Sequence, residues 1–245
     1  MITVIDYGMG NLHSVCNALD AVQATYQVSQ DPSALAAADG LILPGVGAFR
    51  DCMRNLKQAG LIEAIKEQAH AGKPLLGICL GMQVLFEKGY EVEESEGLGL
   101  LQGEVVRMQD PDVKIPHIGW NRLEHAQADA IVRAEEQPFV YYVHSFYAQK
   151  FLPQDLIAYS VYGQMKIPGY VRHGNVLGMQ YHPEKSGRDG LRMLARFVAL
   201  CEGKEATTDG SSFRQSTSST DSRSAVSGDY AKRSGRMTAC AHWHS

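Results

Sequence analysis

Over roughly the first two hundred residues, short runs of consecutive apolar positions alternate with stretches whose apolar positions recur every three or four residues. Ile2 to Asp6 is a run of the first kind. Beyond the turn Gly8-Met9-Gly10, Leu12, Val15, Leu19 and Val22 share one face of a predicted helix. Tyr26-Gln27-Val28 predicts a second strand, and Leu41-Ile42-Leu43 a third that ends at Pro44-Gly45. A long polar, helical stretch follows, with Leu61, Ala64 and Ile65 on its buried face and Gly72 closing it. Pro74 to Ile78 is the next strand, and a helix is expected directly after it over Leu80 to Glu87. From about Leu101 the pattern becomes strand-rich, with Val105-Val106, Phe139 to Val143, Leu156 to Tyr162, Val171 and Val176 to Tyr181. Arg188 to Cys201 returns to helix, with Leu191, Leu194, Ala195 and Val198 on one face. Strands that are apolar throughout and separated by helices imply a parallel sheet covered on both sides. The predicted class is α/β: an open mixed sheet, mainly parallel at its centre, with helices on both faces.

The pattern stops near Glu202-Gly203-Lys204. Residues 1–203 read as one domain. The stretch 204–245 is rich in Ser and Thr, has no apolar period, and is expected to be a disordered tail. Its Cys240, His242 and His244 resemble a metal cluster only superficially, and no metal or other cofactor is expected. A formal charge of −4 supplies no basic field for a nucleic acid. No apolar run reaches the 18 or so residues of a bilayer crossing, and the N-terminus lacks the features of a signal peptide. Five scattered cysteines argue against a disulfide framework and for a reducing cytoplasm.

Ligands of open α/β sheets bind beyond the carboxyl ends of strands, and one such end carries Gly77-Ile78-Cys79-Leu80-Gly81. This is the Gly-x-nucleophile-x-Gly elbow with cysteine in place of serine. A cysteine there stands at a helix N-terminus, which favours thiolate. Cys16, Cys52 and Cys201 fall inside helical patterns and read as packing residues. A thiol nucleophile wants an imidazole, and the imidazole a third group to orient it. His182 ends an apolar run and is followed by Pro183 and Glu184, so that Glu184 reaches the imidazole Nδ1 locally. His117 and His144 are rivals, either of which could equally be structural. His13, His70, His125 and His173 lack a comparable arrangement. For an oxyanion, the N–H of Leu80 is one candidate donor. Pro44-Gly45-Val46-Gly47 offers another, although it serves equally well as a plain strand-to-helix turn.

Together, Pro44-Gly45-Val46-Gly47, Gly77 to Gln83 and Tyr181 to Ser186 resemble the class I (triad) glutamine amidotransferases, which are flavodoxin-like. The resemblance extends to the glutaminase subunits of imidazole glycerol phosphate synthases through Asp6 to Leu12, Pro116 to Asn121 and Tyr142 to Tyr147, and it runs from about Ile2 to Gly203. It implies that Cys79 attacks the side-chain amide of glutamine, that His182 moves the protons, and that Glu184 orients His182. It further implies Val46 and Leu80 as oxyanion donors, with Gly47, Gln83 and the His144-Ser145-Phe146 backbone against the substrate. Phe146 stands where tyrosine is common in the family. The partner it implies is a (β/α)8-barrel cyclase subunit, in a heterodimer. That subunit uses the ammonia to make imidazole glycerol phosphate and an aminoimidazole carboxamide ribotide in histidine biosynthesis. Asn11, Trp120 and Lys185 match positions at the subunit contact or ammonia gate, while alone they read as a helix cap, a core residue and a solvated charge. Two other functions stay open at this stage: a stand-alone thiol hydrolase on the same scaffold, and an interaction subunit without turnover.

Overall fold

The structure, a computed structural model, describes residues 1–204; the expected tail beyond them, with Cys240, His242 and His244, lies outside the described residues. The chain starts with β1 (Ile2–Ile5), α1 (Leu12–Ala21), β2 (Tyr26–Ser29), α2 (Pro32–Ala37), β3 (Gly40–Gly45), α3 (Phe49–Gln58), α4 (Leu61–His70) and β4 (Leu75–Cys79). A short helix α5 (Leu80–Gln83) leads into β5 (Phe86–Tyr90), β6 (Glu94–Glu96), β7 (Leu101–Arg107), β8 (His117–Arg122) and β9 (Glu124–His125). Then come β10 (Phe139–His144), β11 (Phe146–Gln149), β12 (Leu156–Tyr162), β13 (Met165–His173), β14 (Val176–Met179) and α6 (Gly187–Cys201).

The main sheet has the order β2-β1-β3-β4-β14-β13-β12-β9. Its first five strands run parallel and the last three join antiparallel. Alternation along each strand sends neighbouring side chains to opposite faces. Ile42, Leu76 and Ile78 pack with Val15, Leu19, Leu194 and Phe197 of α1 and α6. Leu41, Leu43 and Leu75 pack with Leu35, Phe49, Leu56, Leu61 and Ile65 of α2, α3 and α4. Helices therefore cover both faces, as the apolar strands require. A four-stranded sheet, β11-β7-β5-β6, and a two-stranded ribbon, β10-β8, complete the described residues. No helix among them is long and apolar enough to cross a membrane.

One expected element differs. The helix after Cys79 stops at Gln83, and Phe86–Tyr90 forms a strand paired with β7 and β6. Residues 81 to 86 are buried all round, so no polar face existed to separate a helical period from a strand. Helix α2 was not expected, although Asp31, whose carboxylate accepts from the Ser33 N–H at 2.9 Å, and Pro32 in the first turn are ordinary start signals.

Candidate active site

Strands β3, β4 and β14 are neighbours, parallel and in register, so their carboxyl ends meet at one edge. Gly45 stands opposite Cys79, and Met179 opposite Ile78. The residues that follow, Val46-Gly47 on one side and Gln180 to Glu184 on the other, therefore flank Cys79 without any long excursion. Cys79 has φ 54° and ψ −109°, a left-handed backbone that a non-glycine residue adopts only where its surroundings enforce it. Three glycines let the turn close. A Cβ on Gly81 would lie 1.8 Å from the Leu43 carbonyl oxygen, one on Gly77 2.6 Å from that of Gly81, and one on Gly45 2.5 Å from the Gly81 nitrogen.

A cavity of about 340 Å³ opens at this edge. Val46, Gly47, Cys79, Leu80, Gln83, His144, Ser145, Phe146 and His182 all line it. Glu184 stands behind His182, its carboxylate Oε1 2.7 Å from the imidazole Nδ1, with both side chains buried. The imidazole Nε2 is buried and has no hydrogen-bond partner in the structure. Burial alone would depress the His182 pKa, but the nearby Cys79 sulfur and the Glu184 carboxylate outweigh it and raise the pKa to about 9. The Cys79 thiol lies 3.9 Å from the Val143 carbonyl oxygen, and the Gln180 amide donates towards the sulfur at 3.9 Å.

The rival histidines are engaged elsewhere. His144 Nδ1 donates to the Phe146 carbonyl at 2.8 Å, and its Nε2 meets His117 Nδ1 at 3.2 Å. His173 does hold a carboxylate, Asp155 at 2.9 Å, but it sits beside Val176 at the opposite edge of the sheet from Cys79. Of the residues assigned to a subunit contact, Trp120 is 56% exposed and so is no core residue. Asn11 caps α1, its side chain accepting from the Ser14 N–H at 3.4 Å, and Lys185 is exposed.

Sequence reasoning missed three contributors. Glu91 lines the cavity, its carboxylate accepting from the Phe49 N–H at 2.7 Å. Gln180, fully buried, accepts from Gln83 at 3.0 Å; its place beside Cys79 was derivable once β4 and β14 were paired. Ser186 accepts from the Tyr141 N–H at 2.9 Å and donates to the His182 carbonyl at 2.6 Å, while the His182 N–H donates to the Tyr141 carbonyl at 2.9 Å. Strand β10 is thereby stitched to the His182 backbone. No cluster of metal-ligating side chains occurs among the described residues.

Because the His182 pKa is raised above its usual 6.5, the folded state holds that proton more tightly than the unfolded chain. The resulting stability is complete below pH 6.5 or so and disappears as pH climbs through about 9. Glu184→Gln is expected to lower the His182 pKa and to flatten this alkaline loss by on the order of 1 kcal/mol. Urea unfolding of parent and variant between pH 6 and 10 measures it, and equal slopes would contradict it.

Fold and site together define a class. Residues 3–201 match the family model described as glutamine amidotransferase class-I. Imidazole glycerol phosphate synthase subunit HisH of Lactococcus lactis subsp. lactis is 52% identical over 199 residues, covering 80% of this chain and 97% of that relative. The subunit of the same name from Bacillus licheniformis is 50% identical over 202 residues, covering 80% and 95%. A crystal structure of a glutamine amidotransferase superposes with a TM-score of 0.65 at 19% identity, covering 83% of this chain and 100% of the other, a likeness of fold. The chain belongs to the class-I glutamine amidotransferases and, among them, to the family of HisH subunits of imidazole glycerol phosphate synthase.

Proposed function

We propose that this chain hydrolyses glutamine to glutamate and ammonia through Cys79, His182 and Glu184. The ammonia then passes to a (β/α)8-barrel cyclase subunit that forms imidazole glycerol phosphate and aminoimidazole carboxamide ribotide in histidine biosynthesis. The observation that carries the reading is a buried imidazole with one nitrogen on a carboxylate and the other unpartnered, in the same cavity as a thiol on a strained elbow. Cys79 Sγ, its proton already held on His182 Nε2 because that imidazole's pKa is raised to about 9, attacks the side-chain carbonyl carbon of glutamine. Collapse of the tetrahedral adduct breaks the C–N bond while His182 returns that proton to the departing ammonia. The same imidazole then deprotonates the water that cleaves the thioester. Leu80, opening α5, and Val46 offer N–H groups to the oxyanion. Gly47, Gln83 and the 144–146 backbone hold the substrate, with the Glu91 carboxylate suited to its α-ammonium group.

The β10-β8 ribbon supports the partner. Cross-strand pairs Ile118–Val143, Trp120–Tyr141 and Arg122–Phe139 put their side chains on one face, and Ile118, Trp120 and Phe139 are each more than half exposed. Large apolar side chains gathered in this way mark a protein contact, here beside the Cys79 cavity, with Asn11 and Lys185 assigned to the same contact. Hydrolysis by the chain alone is expected to be slow, and to rise by about one to two orders of magnitude when the cyclase subunit and its nucleotide ligand are added. Trp120→Asp should remove the rise and spare the basal rate. High unstimulated activity would instead favour a stand-alone thiol hydrolase, and no activity under any condition would end the reading.

A further inference from the structure

We propose that His117, buried and in contact with no substrate-facing space, is a positioning residue. Its Nδ1–H fixes the tautomer and ring orientation of His144, and through the shared Phe146 carbonyl it sets where Gln83 and the 145–146 wall of the cavity stand. The proposal rests on the reading of that cavity as a glutamine site.

The direction of every hydrogen bond in this chain of contacts is determined. A carbonyl only accepts, so His144 Nδ1 carries the proton that reaches Phe146 at 2.8 Å. In the neutral ring His144 Nε2 is then an acceptor, and the group 3.2 Å away, His117 Nδ1, must donate. The Phe146 carbonyl accepts a second time, from Gln83 Nε2 at 2.9 Å. The other hydrogen of that amide goes to Gln180 Oε1 at 3.0 Å, and Gln180 in turn donates towards the Cys79 sulfur at 3.9 Å. One imidazole thus anchors a run of contacts that ends at the thiol.

His117 is itself held rigidly. Its ring stacks on Tyr162 with centroids 3.9 Å apart and on Tyr142 with centroids 4.6 Å apart. The Tyr142 hydroxyl pairs with Ser160 at 2.9 Å, and that of Tyr162 donates to the Lys114 carbonyl at 2.7 Å. Burial depresses the pKa of His117 to about 4. It depresses that of His144 to about 3, where the bond to Phe146 opposes and the neighbouring imidazoles of His117 and His182 add to it. Both rings therefore stay neutral at ordinary pH and the pattern of donors does not switch. Packing alone would be met by any flat ring between two tyrosines; the imidazole adds one directed N–H.

That difference makes the test. His117→Phe keeps the ring stack and deletes the donor, whereas His117→Asn deletes the stack and keeps an N–H near the Nδ1 position. In glutaminase assays of the full chain with the cyclase subunit, His117→Phe is expected to raise the KM for glutamine about tenfold with kcat within about threefold of the parent. His117→Asn is expected to recover most of that KM. An unchanged KM in His117→Phe, or a KM in His117→Asn as high as in His117→Phe, overturns the proposal. A fall in kcat alone, in proportion to the folded fraction, also overturns it. Histidine ¹⁵N spectra of the unmutated full chain test it without any variant: both rings should be in the Nδ1–H form, and an Nε2–H form of His144 would contradict it. Failure of the unmutated chain to turn over glutamine under any condition would count against the glutaminase reading alone, since the spectra still report on His117 and His144.

Discussion

Cys79→Ala is expected to reduce glutamine hydrolysis by about a thousandfold or more, while cyclisation supplied with external ammonium by the assembled complex proceeds at the parental rate. Removing the sulfur removes the atom proposed to form the thioester, and nothing else in the cavity replaces it: Ser145 lies in the wall with no base assigned to it, and both nitrogens of His144 are occupied. The fold, by contrast, loses little. Alanine has the same Cβ at the same positive φ, and the sulfur makes only two long contacts, each 3.9 Å, to Val143 and Gln180. A thermal melt alongside the two assays separates chemistry from folding. Residual hydrolysis within about tenfold of the parent, or equal loss of both activities, would remove Cys79 from the nucleophile's role.

The second large effect concerns the elbow that presents this thiol. Gly81→Ala would drive a methyl group to 1.8 Å from the Leu43 carbonyl oxygen and 2.8 Å from its carbon, both main-chain atoms of a central strand. A flexible side chain could swing aside; β3, hydrogen-bonded to β1 and β4, cannot. The cost is expected to be about 3 kcal/mol or more, lowering Tm by roughly 6–12 °C for a domain of this size. Gly99 makes the control. Its φ is also positive, at 66°, but nothing lies within 4 Å of an added Cβ. Alanine there should cost only the local backbone strain, about 1 kcal/mol. Denaturant unfolding of both variants checks the contrast, and similar losses at the two positions would show that close packing at Gly81 is not what selects glycine.

These glycines also show what could be read from sequence. The spacing of Gly77 and Gly81 around Cys79 marked a sharp strand-to-helix turn, and an imidazole with a carboxylate two residues on was local enough to see. The apolar runs of β1, β3 and β4 were uniform and separated by helices, so their burial on both faces and their parallel pairing followed. The failures share one cause, which is dependence on partners remote in the chain. The stretch after Gln83 is buried on every side, and only pairing with β7 decides that Phe86 starts a strand. Gln180 and Glu91 reach the cavity through strand register and a turn between β5 and β6, and no spacing rule anticipates either. Trp120 was ambiguous between core and contact until β8 and β10 were paired. That pairing aligned it with Ile118, Phe139 and Val143 on a single exposed face.

The stitch made by Ser186 gives that ribbon a mechanical meaning. Tyr141 and His182 grip one another through the Tyr141 carbonyl on one side and through the serine hydroxyl on the other. With no slack segment between them, whatever presses on the outer side of the ribbon is expected to displace the imidazole with it. A molecule seated there would thus adjust the imidazole, through the serine hydroxyl and the main-chain bond together, without ever touching it.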